Sequence, residues 1–300
     1  MALPLTSLHT HTLFCDGKDD VETMCRAAHA KGLAAIGFSA HGPIEKAGLA
    51  SCWNMQEQRM SAYIAEVRAA RQRWQGKIAV YAGLELDYIK GLRSALDSDI
   101  VSLNLDYTIC SVHYLLPPGL PLYGAPFTVD GPIEELQKGI AEGFAGDGEA
   151  MMHAYWDAVL EMVSLGGFDI VGHLDLIKKN NAAGRFFTME GDYMRRVEEA
   201  IRAISSGGLV VEVNTGGLNR GYIDEPYPSL PILRLLRQHN VPVMISADAH
   251  NARDIDGHYQ TACRVLLDAG YTSHVIFQGR RDGKPLWSGQ AITVSEWSKL

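Results

Sequence analysis

The sequence predicts an α/β fold in a single domain, a closed barrel of parallel strands wrapped by helices. Three observations lead there. Short apolar runs of strand length alternate with helical stretches seven times, the pattern of parallel strands joined by helical crossovers. Polar residues gather at the carboxyl ends of nearly all these strands, where barrel sites sit. A Gly-x-Gly-x-x-Gly turn after strand one and a Gly-Lys-Ser/Thr sequence are both absent, which argues against an open nucleotide-binding sheet.

The elements follow in order. Strand one is read over Leu5–Thr12, with Asp19 or Asp20 capping a helix over Val21–Lys31 that Gly32 stops. Ala34–Ser39 is the second strand and leads to His41. A helix over Gln56–Trp74 precedes a third strand over Lys77–Ala82, followed by Gly83-Leu84-Glu85-Leu86-Asp87. A short helix near Ser94–Leu103 leads to strand four, Tyr107–Val112, which ends at His113.

Residues 114–132 carry Pro-Pro-Gly, Leu-Pro, Gly-Ala-Pro and Asp-Gly-Pro and read as one long loop. Long loops in compact domains are more often functional than idle, so this one is expected to shape the mouth of a site. Helices over Ile133–Glu142 and Glu149–Ser164 follow, then strand five, Asp169–Gly172, ending at His173. Helix Glu190–Ser205 and strand Leu209–Val213 make the sixth unit. Helix Ser229–His239 and strand Pro242–Ser246 make the seventh, ending at Asp248 and His250. A helix over Gly257–Asp268 and a terminal hairpin over 275–292 complete the chain. No linker rich in Pro, Gly or Ser divides it, so residues 1–300 are expected to form one domain with its core over about 5–270.

Composition narrows the function. With 47% hydrophobic residues the 300-residue chain can bury a substantial core. A formal charge of −8 disfavours a general nucleic-acid grip, which needs a basic stripe. No apolar run approaches the roughly 18 residues of a membrane span, and the amino terminus lacks the basic-then-apolar order of a signal peptide. Five cysteines, odd in number and without paired spacing, fit reduced thiols in a cytoplasmic protein, with Cys15 a spectator.

Chemistry concentrates at the strand ends. His9 and His11 lie two apart, so an extended chain points both imidazoles the same way, with Asp16 in the turn beyond. Alone, such a pair reads equally well as two surface histidines. The set grows to His9, His11, Asp16, His41, Glu85, His113, His173, Asp248 and His250, which takes six of the eleven histidines. The other five (His29, His153, His239, His258, His274) fall on expected helices or their ends and are given surface roles. Nine nitrogen and oxygen donors exceed what one zinc takes and suit two or three zinc, manganese or iron ions that share a carboxylate. Adjacent metals of this kind clamp a phosphoryl displacement.

These residues resemble a known family. His9-Thr10-His11, Ser39-Ala40-His41, Gly83-Leu84-Glu85, Ser111-Val112-His113, Gly172-His173-Leu174-Asp175 and Ser246-Ala247-Asp248-Ala249-His250 look like the motifs of the polymerase and histidinol phosphatase (PHP) family, in its order, over about residues 5–270. Glu212–Arg220 and Glu225–Ser229 place the resemblance nearest the stand-alone histidinol-phosphatase branch. The resemblance implies a distorted (β/α)7 barrel, three metals and hydrolysis of a small phosphomonoester such as L-histidinol phosphate. It groups His9, His11, Glu85 and Asp248 on one metal, Glu85, His113 and His173 on a second, and Asp16, His41 and His250 on the third. Ala40 and Lys178-Lys179-Asn180 depart from its usual pattern.

Arg220 follows Gly216–Asn219, read as a flexible turn that carries a guanidinium over the mouth to grip phosphate at two points. Lys178 is the reserve phosphate ligand. Glu85, Asp248 and Arg220 are thus the expected catalytic residues. Asp130, Asp224 and Glu225 are candidate partners for a cationic amine on the substrate, and Asp175 is one candidate proton donor to the leaving group. Three other readings compete. A nuclease of the same family wants a basic groove, an amidohydrolase barrel wants a bridging lysine, and a regulatory metal module wants ligands that leave no place for water. Oligomeric state is not written in the sequence.

Overall fold

The computed structural model of the chain describes residues 5–117 and 126–292. Its strands are β1 (Thr6–Ser7), β2 (Ala35–Phe38), β3 (Ala79–Asp87), β4 (Tyr107–Ser111), β5 (Tyr114–Leu115), β6 (Phe127–Thr128), β7 (Ile170–Val171), β8 (Val210–Asn214), β9 (Val243–Ser246), β10 (Ser273–Arg281) and β11 (Lys284–Ala291). Seven of them form one sheet in the order β1-β2-β3-β4-β7-β8-β9, all parallel. The sheet closes on itself where Thr10 bridges Ala249: His11 N–H donates to Ala249 O at 2.9 Å, and Ala249 N–H to His9 O at 3.1 Å. The distorted seven-stranded barrel is therefore the fold. No helix among the described residues is long and apolar enough to cross a membrane.

Helices α1 (Val21–Ala30), α2 (Met60–Arg73), α3 (Ser98–Val101), α4 (Ile133–Gly143), α5 (Gly148–Leu165), α6 (Asp192–Gly207), α7 (Gly216–Asn219), α8 (Leu230–Gln238) and α9 (Tyr259–Asp268) connect the strands. Their sequences explain them locally. On α1, Val21, Met24, Cys25 and Ala28 recur at helical spacing and are all buried. Of its two candidate caps it is Asp20 that accepts Thr23 N–H, at 2.7 Å. Asp147 caps α5 in the same way through Ala150 N–H at 3.0 Å.

Alternation along the strands sorts the barrel interior into layers. One face of each strand is apolar and packs outward on the helices: Val80, Ala82, Leu84 and Leu86 of β3, and Val211 and Val213 of β8, belong to the main core. The other face reads apolar, then small or polar, then charged, as in Tyr81-x-Gly83-x-Glu85-x-Asp87 and Tyr107-x-Ile109-x-Ser111-x-His113. The apolar layer forms a second core of Leu8, Tyr107, Ile109, Ile170, Val210, Met244 and Phe277. Phe277 comes from the β10–β11 hairpin, with its ring 4.9 Å from Tyr81 and 5.7 Å from Tyr107, so the hairpin plugs the end of the barrel opposite the strands' carboxyl ends. Arg280 pins it there, donating to Asp169 Oδ2 at 2.8 Å and to Asp106 O at 3.2 Å.

Several expectations need correction. Strand one pairs only over Thr6–Ser7, because the chain then bends across to meet Ser39 Oγ through Thr10 N–H, at 3.0 Å. The third strand runs on to Asp87, so Glu85 stands inside it. Gly83, read as lying beyond the strand, instead makes room: a Cβ there would lie 2.6 Å from Tyr107 Cζ. Gly216–Asn219 is a helical turn with Gly216 and Gly217 buried, and a Cβ on Gly216 would meet Asp248 and Arg220. Those glycines permit close packing, not flexibility. The loop at 114–132 contains the antiparallel pair β5–β6, and residues 118–125 of it lie outside the described residues. His274 is buried in β10, and burial pushes its imidazole down to about 4, so it has no surface role.

Tyr107 wedges the interior and donates its hydroxyl to Leu8 O. Gly83→Ala should cost on the order of 2 kcal/mol by overpacking against that ring. Urea denaturation should show the loss, and Tyr107→Leu in the same chain should restore part of it. An additive double variant would place the strain elsewhere.

Candidate metal centre

The charged layer of the interior brings all nine expected residues together. Glu85 in β3 is its hub, buried to 1% exposure. Its Oε2 lies 3.1 Å from His9 Nε2, 3.1 Å from His41 Nδ1 and 3.6 Å from His11 Nε2. Its Oε1 lies 2.9 Å from His173 Nε2 and 3.6 Å from His113 Nε2, and accepts Ser111 Oγ–H at 2.8 Å. Asp248 Oδ1 is 3.2 Å from His11 Nε2 and 3.7 Å from His9 Nε2. At the rim, Asp16 Oδ2 is 3.0 Å from His250 Nε2, and the His250 ring stacks on His11 at 4.1 Å.

Four groups have donor atoms all within 4.8 Å of one another: His11, Asp16, His41 and His250; His9, Glu85 and His173; His9, His11 and Asp248; His41, Glu85 and His113. Glu85 belongs to two of them, and His9, His11 and His41 each belong to two. The grouping differs from the expected one at three residues: His9 also joins His173, His11 also joins Asp16 and His250, and His41 reaches both Glu85 and the Asp16–His250 group.

Charge explains why such an interior calls for cations. Asp16, Glu85, Asp87, Glu212 and Asp248 surround the imidazoles, and one arginine, Arg220, contacts them. Burial raises the Glu85 carboxyl, but His9, His41 and His113 outweigh it and hold it well below its usual range. Asp248 is held low in the same way by Arg220 and His9. Burial opposes protonation of His113, yet Glu85 and Asp87 push it up to about 10. Among the described residues, His9 Nε2, His11 Nε2, His41 Nδ1, Asp16 Oδ1 and Glu85 Oε2 are buried with no hydrogen-bond partner. Buried polar atoms left without hydrogen bonds are costly, and a cation among them would satisfy them. Nitrogen and oxygen donors in this arrangement fit divalent transition-metal ions.

Two residues absent from the expected set orient the histidines. Glu212 in β8 is fully buried and accepts His9 Nδ1–H at 2.8 Å, His173 backbone N–H at 2.7 Å, Ser246 Oγ–H at 2.6 Å and Asn214 Nδ2–H at 2.9 Å. Asp87 accepts His113 Nδ1–H at 2.7 Å. Both aim the opposite ring nitrogen into the cluster. Their signal in the sequence was a carboxylate on the charged face of an apolar strand: Glu212 between Val211 and Val213, Asp87 two residues beyond Glu85.

Arg220 lies at the centre. It donates Nη2–H to Asp248 Oδ2 at 2.9 Å, and Nη1–H to Asp248 O at 3.2 Å and His250 Nδ1 at 2.9 Å. Lys178 does not join it. Its ammonium is buried, donates to Glu225 Oε1 and Pro226 O at 2.9 Å each, and is ion-paired with Asp175 Oδ2 at 3.0 Å. Asp175 is fully buried and bound to Ser229 N–H at 2.9 Å, away from a donor's role, and Glu225 is committed to Lys178. Cys15 Sγ lies 3.5 Å from His11 Nδ1, but burial and Asp16 push its thiol up to about 12, as suits a spectator.

A parallel barrel that gathers histidines and carboxylates from its strand ends around one shared glutamate defines a class of metal-holding barrels. Residues 7–216 match the PHP domain, and the chain belongs to that family. A Deinococcus radiodurans protein named "Probable histidinol-phosphatase" is 27% identical over 278 residues, 92% of this chain and 98% of that protein. The Bacillus subtilis histidinol-phosphatase is 26% identical over 265 residues, 84% of this chain and 96% of its own. The histidinol phosphate phosphatase of Lactococcus lactis, solved with zinc, L-histidinol and phosphate, superposes with a TM-score of 0.67 at 19% identity. It covers 93% of this chain and all of that one.

Glu212→Gln keeps the shape but sets an amide hydrogen against at least one of four donors. It should cost about 2–4 kcal/mol in the metal-free protein. Urea denaturation checks this, and wild-type stability would show that Glu212 does not anchor His9 and His173.

Proposed function

We propose that this chain, as one domain over residues 1–300, is a metal-dependent phosphatase that hydrolyses L-histidinol phosphate to L-histidinol and phosphate. The observation that carries the reading is the division of Glu85 between two groups of imidazoles, one at each oxygen, with Arg220 beside them. The relatives' names and the ligands of the Lactococcus lactis structure support the choice of substrate.

His9, His11, Glu85 and Asp248 would hold one ion, Glu85, His113 and His173 a second, and Asp16, His41 and His250 a third, each zinc, manganese or iron. Bound there, two or three such ions would supply positive charge for the phosphoryl oxygens and make water acidic enough to attack near neutral pH. The protein's own groups do the positioning. Glu212 and Asp87 fix the tautomers of His9 and His113. Arg220 fixes Asp248, and its Nε–H and one Nη2–H have no protein acceptor among the described residues. A planar pair of donors is suited to two oxygens of a phosphoryl group, and a donor already in place loses little on reaction. Asp130 and Asp224 remain as carboxylates for a substrate ammonium. A small phosphorylated partner fits the acidic chain better than an oligonucleotide.

Phosphate release from metal-reconstituted enzyme tests the substrate. L-histidinol phosphate should exceed a nucleotide, a sugar phosphate and a dinucleotide in kcat/KM, whereas preference for the dinucleotide would move the chain to the nuclease reading. Arg220 has its own test. Arg220→Ala should cost on the order of 2–4 kcal/mol of transition-state stabilisation, and Arg220→Lys should recover only part of it. Wild-type kcat/KM in Arg220→Ala with metals bound would remove the guanidinium from phosphate recognition.

A further inference from the structure

Asn54 lies in the segment between β2 and α2, outside every motif named above, yet it is 9% exposed and every polar atom of its side chain is committed. Its Nδ2 donates to Gly42 O at 2.8 Å and to Asp87 Oδ2 at 2.7 Å. Its Oδ1 accepts Ser51 Oγ–H at 2.5 Å and Tyr114 Oη–H at 3.1 Å. The amide orientation follows from chemistry, because a carbonyl and a carboxylate can only accept and so must face the nitrogen. Asp87 is 2% exposed and has one oxygen on Asn54 and the other on His113 Nδ1–H. The chain of contacts therefore runs from Tyr114 and Ser51 through Asn54 and Asp87 to His113, whose Nε2 faces Glu85.

We infer that Asn54 is a positioning residue that acts through Asp87 to aim His113 into the metal centre, and that it ties the β5–β6 excursion to that centre. The inference rests on the metal-centre reading of His113. Without the amide, Asp87 Oδ2 loses its donor and the carboxylate is free to rotate, so His113 loses both its tautomer and its direction. The far end of the chain of contacts is a packed surface. Tyr114 stacks on Trp53 at 5.8 Å, and both belong to a small apolar cluster with Ile44, Ala47 and Ile89. That cluster joins the segment carrying Asn54 to the excursion at the barrel mouth. A hydrophobic contact at the mouth is thus wired to one ligand of the site.

Zinc extraction by EDTA from zinc-reconstituted enzyme provides the test, together with steady-state kinetics. Asn54→Ala should release one zinc about 10–100-fold faster, the usual consequence of losing an outer partner of a ligand. It should lower kcat more than it raises KM. Asp87→Asn should do the same, and the double variant should be no worse than Asp87→Asn alone. Effects that multiply in the double variant overturn the inference, as does unchanged zinc release. Should Asn54→Ala fail to fold, Asn54→Asp keeps the shape but replaces the donor with a carboxylate oxygen that repels Asp87, and it should show the same faster release. His113→Ala separates the two levels. If it retains all its zinc, the metal-centre reading of His113 fails. If it loses zinc while Asn54→Ala and Asn54→Asp do not, only the role of Asn54 fails.

Discussion

A buried carboxylate shared by five imidazoles is the constraint on which this molecule depends. Glu85 meets His9, His11, His41, His113 and His173 within 3.6 Å, and those side chains come from four different strand ends. No local segment can assemble that set. It needs a closed ring of parallel strands, all ending at the same level, and the seven-stranded barrel supplies it. The cost of burying so much charge is offset by fixed donors: Ser111 on Glu85, four donors on Glu212, Arg220 on Asp248. Each acid has a partner that limits its rotation, which is what holds ligands in place before anything binds.

The apolar layer below serves the charged one. Tyr107 fills the space that Gly37 and Gly83 leave, and Phe277 seals it from beneath. Among the described residues, this apolar layer lies beneath the carboxylates at the end of the barrel away from the mouth. A sealed floor keeps the local dielectric low and strengthens each charge-assisted contact above it. The small residues in the middle layer, Ser39, Gly83, Ser111, Gly172 and Ser246, mark the change from packing to chemistry along each strand.

Much of this was legible in the sequence because the strand period is two and the chemistry recurs at strand ends. His9-x-His11 and Asp248-x-His250 announce a shared face by spacing alone, and apolar runs between helices announce parallel strands. What escaped depends on contacts between distant segments. Gly83 and Gly216 read as turn residues, yet each exists for a close approach that only the tertiary structure reveals. Glu212 and Asp87 lay in plain sight within apolar strands, and their signal was outweighed by the louder histidine motifs. Asn54 had no signal, since an asparagine in a loop is ordinary until its four partners are known. His274 was misplaced because the residues around it gave no sign that this strand faces a barrel floor.

The closure at Thr10 and Ala249 has a consequence for biogenesis. His9 and Asp248 approach to 3.7 Å although nearly the whole chain separates them. A ribosome would release the first two ligands long before the last two exist, and the floor-sealing hairpin emerges later still. During synthesis the nascent chain therefore carries an unfinished sheet with two unpaired edges, the hazard that chaperones shield. The donor set at the barrel mouth is complete only once residues 248–250 have been made.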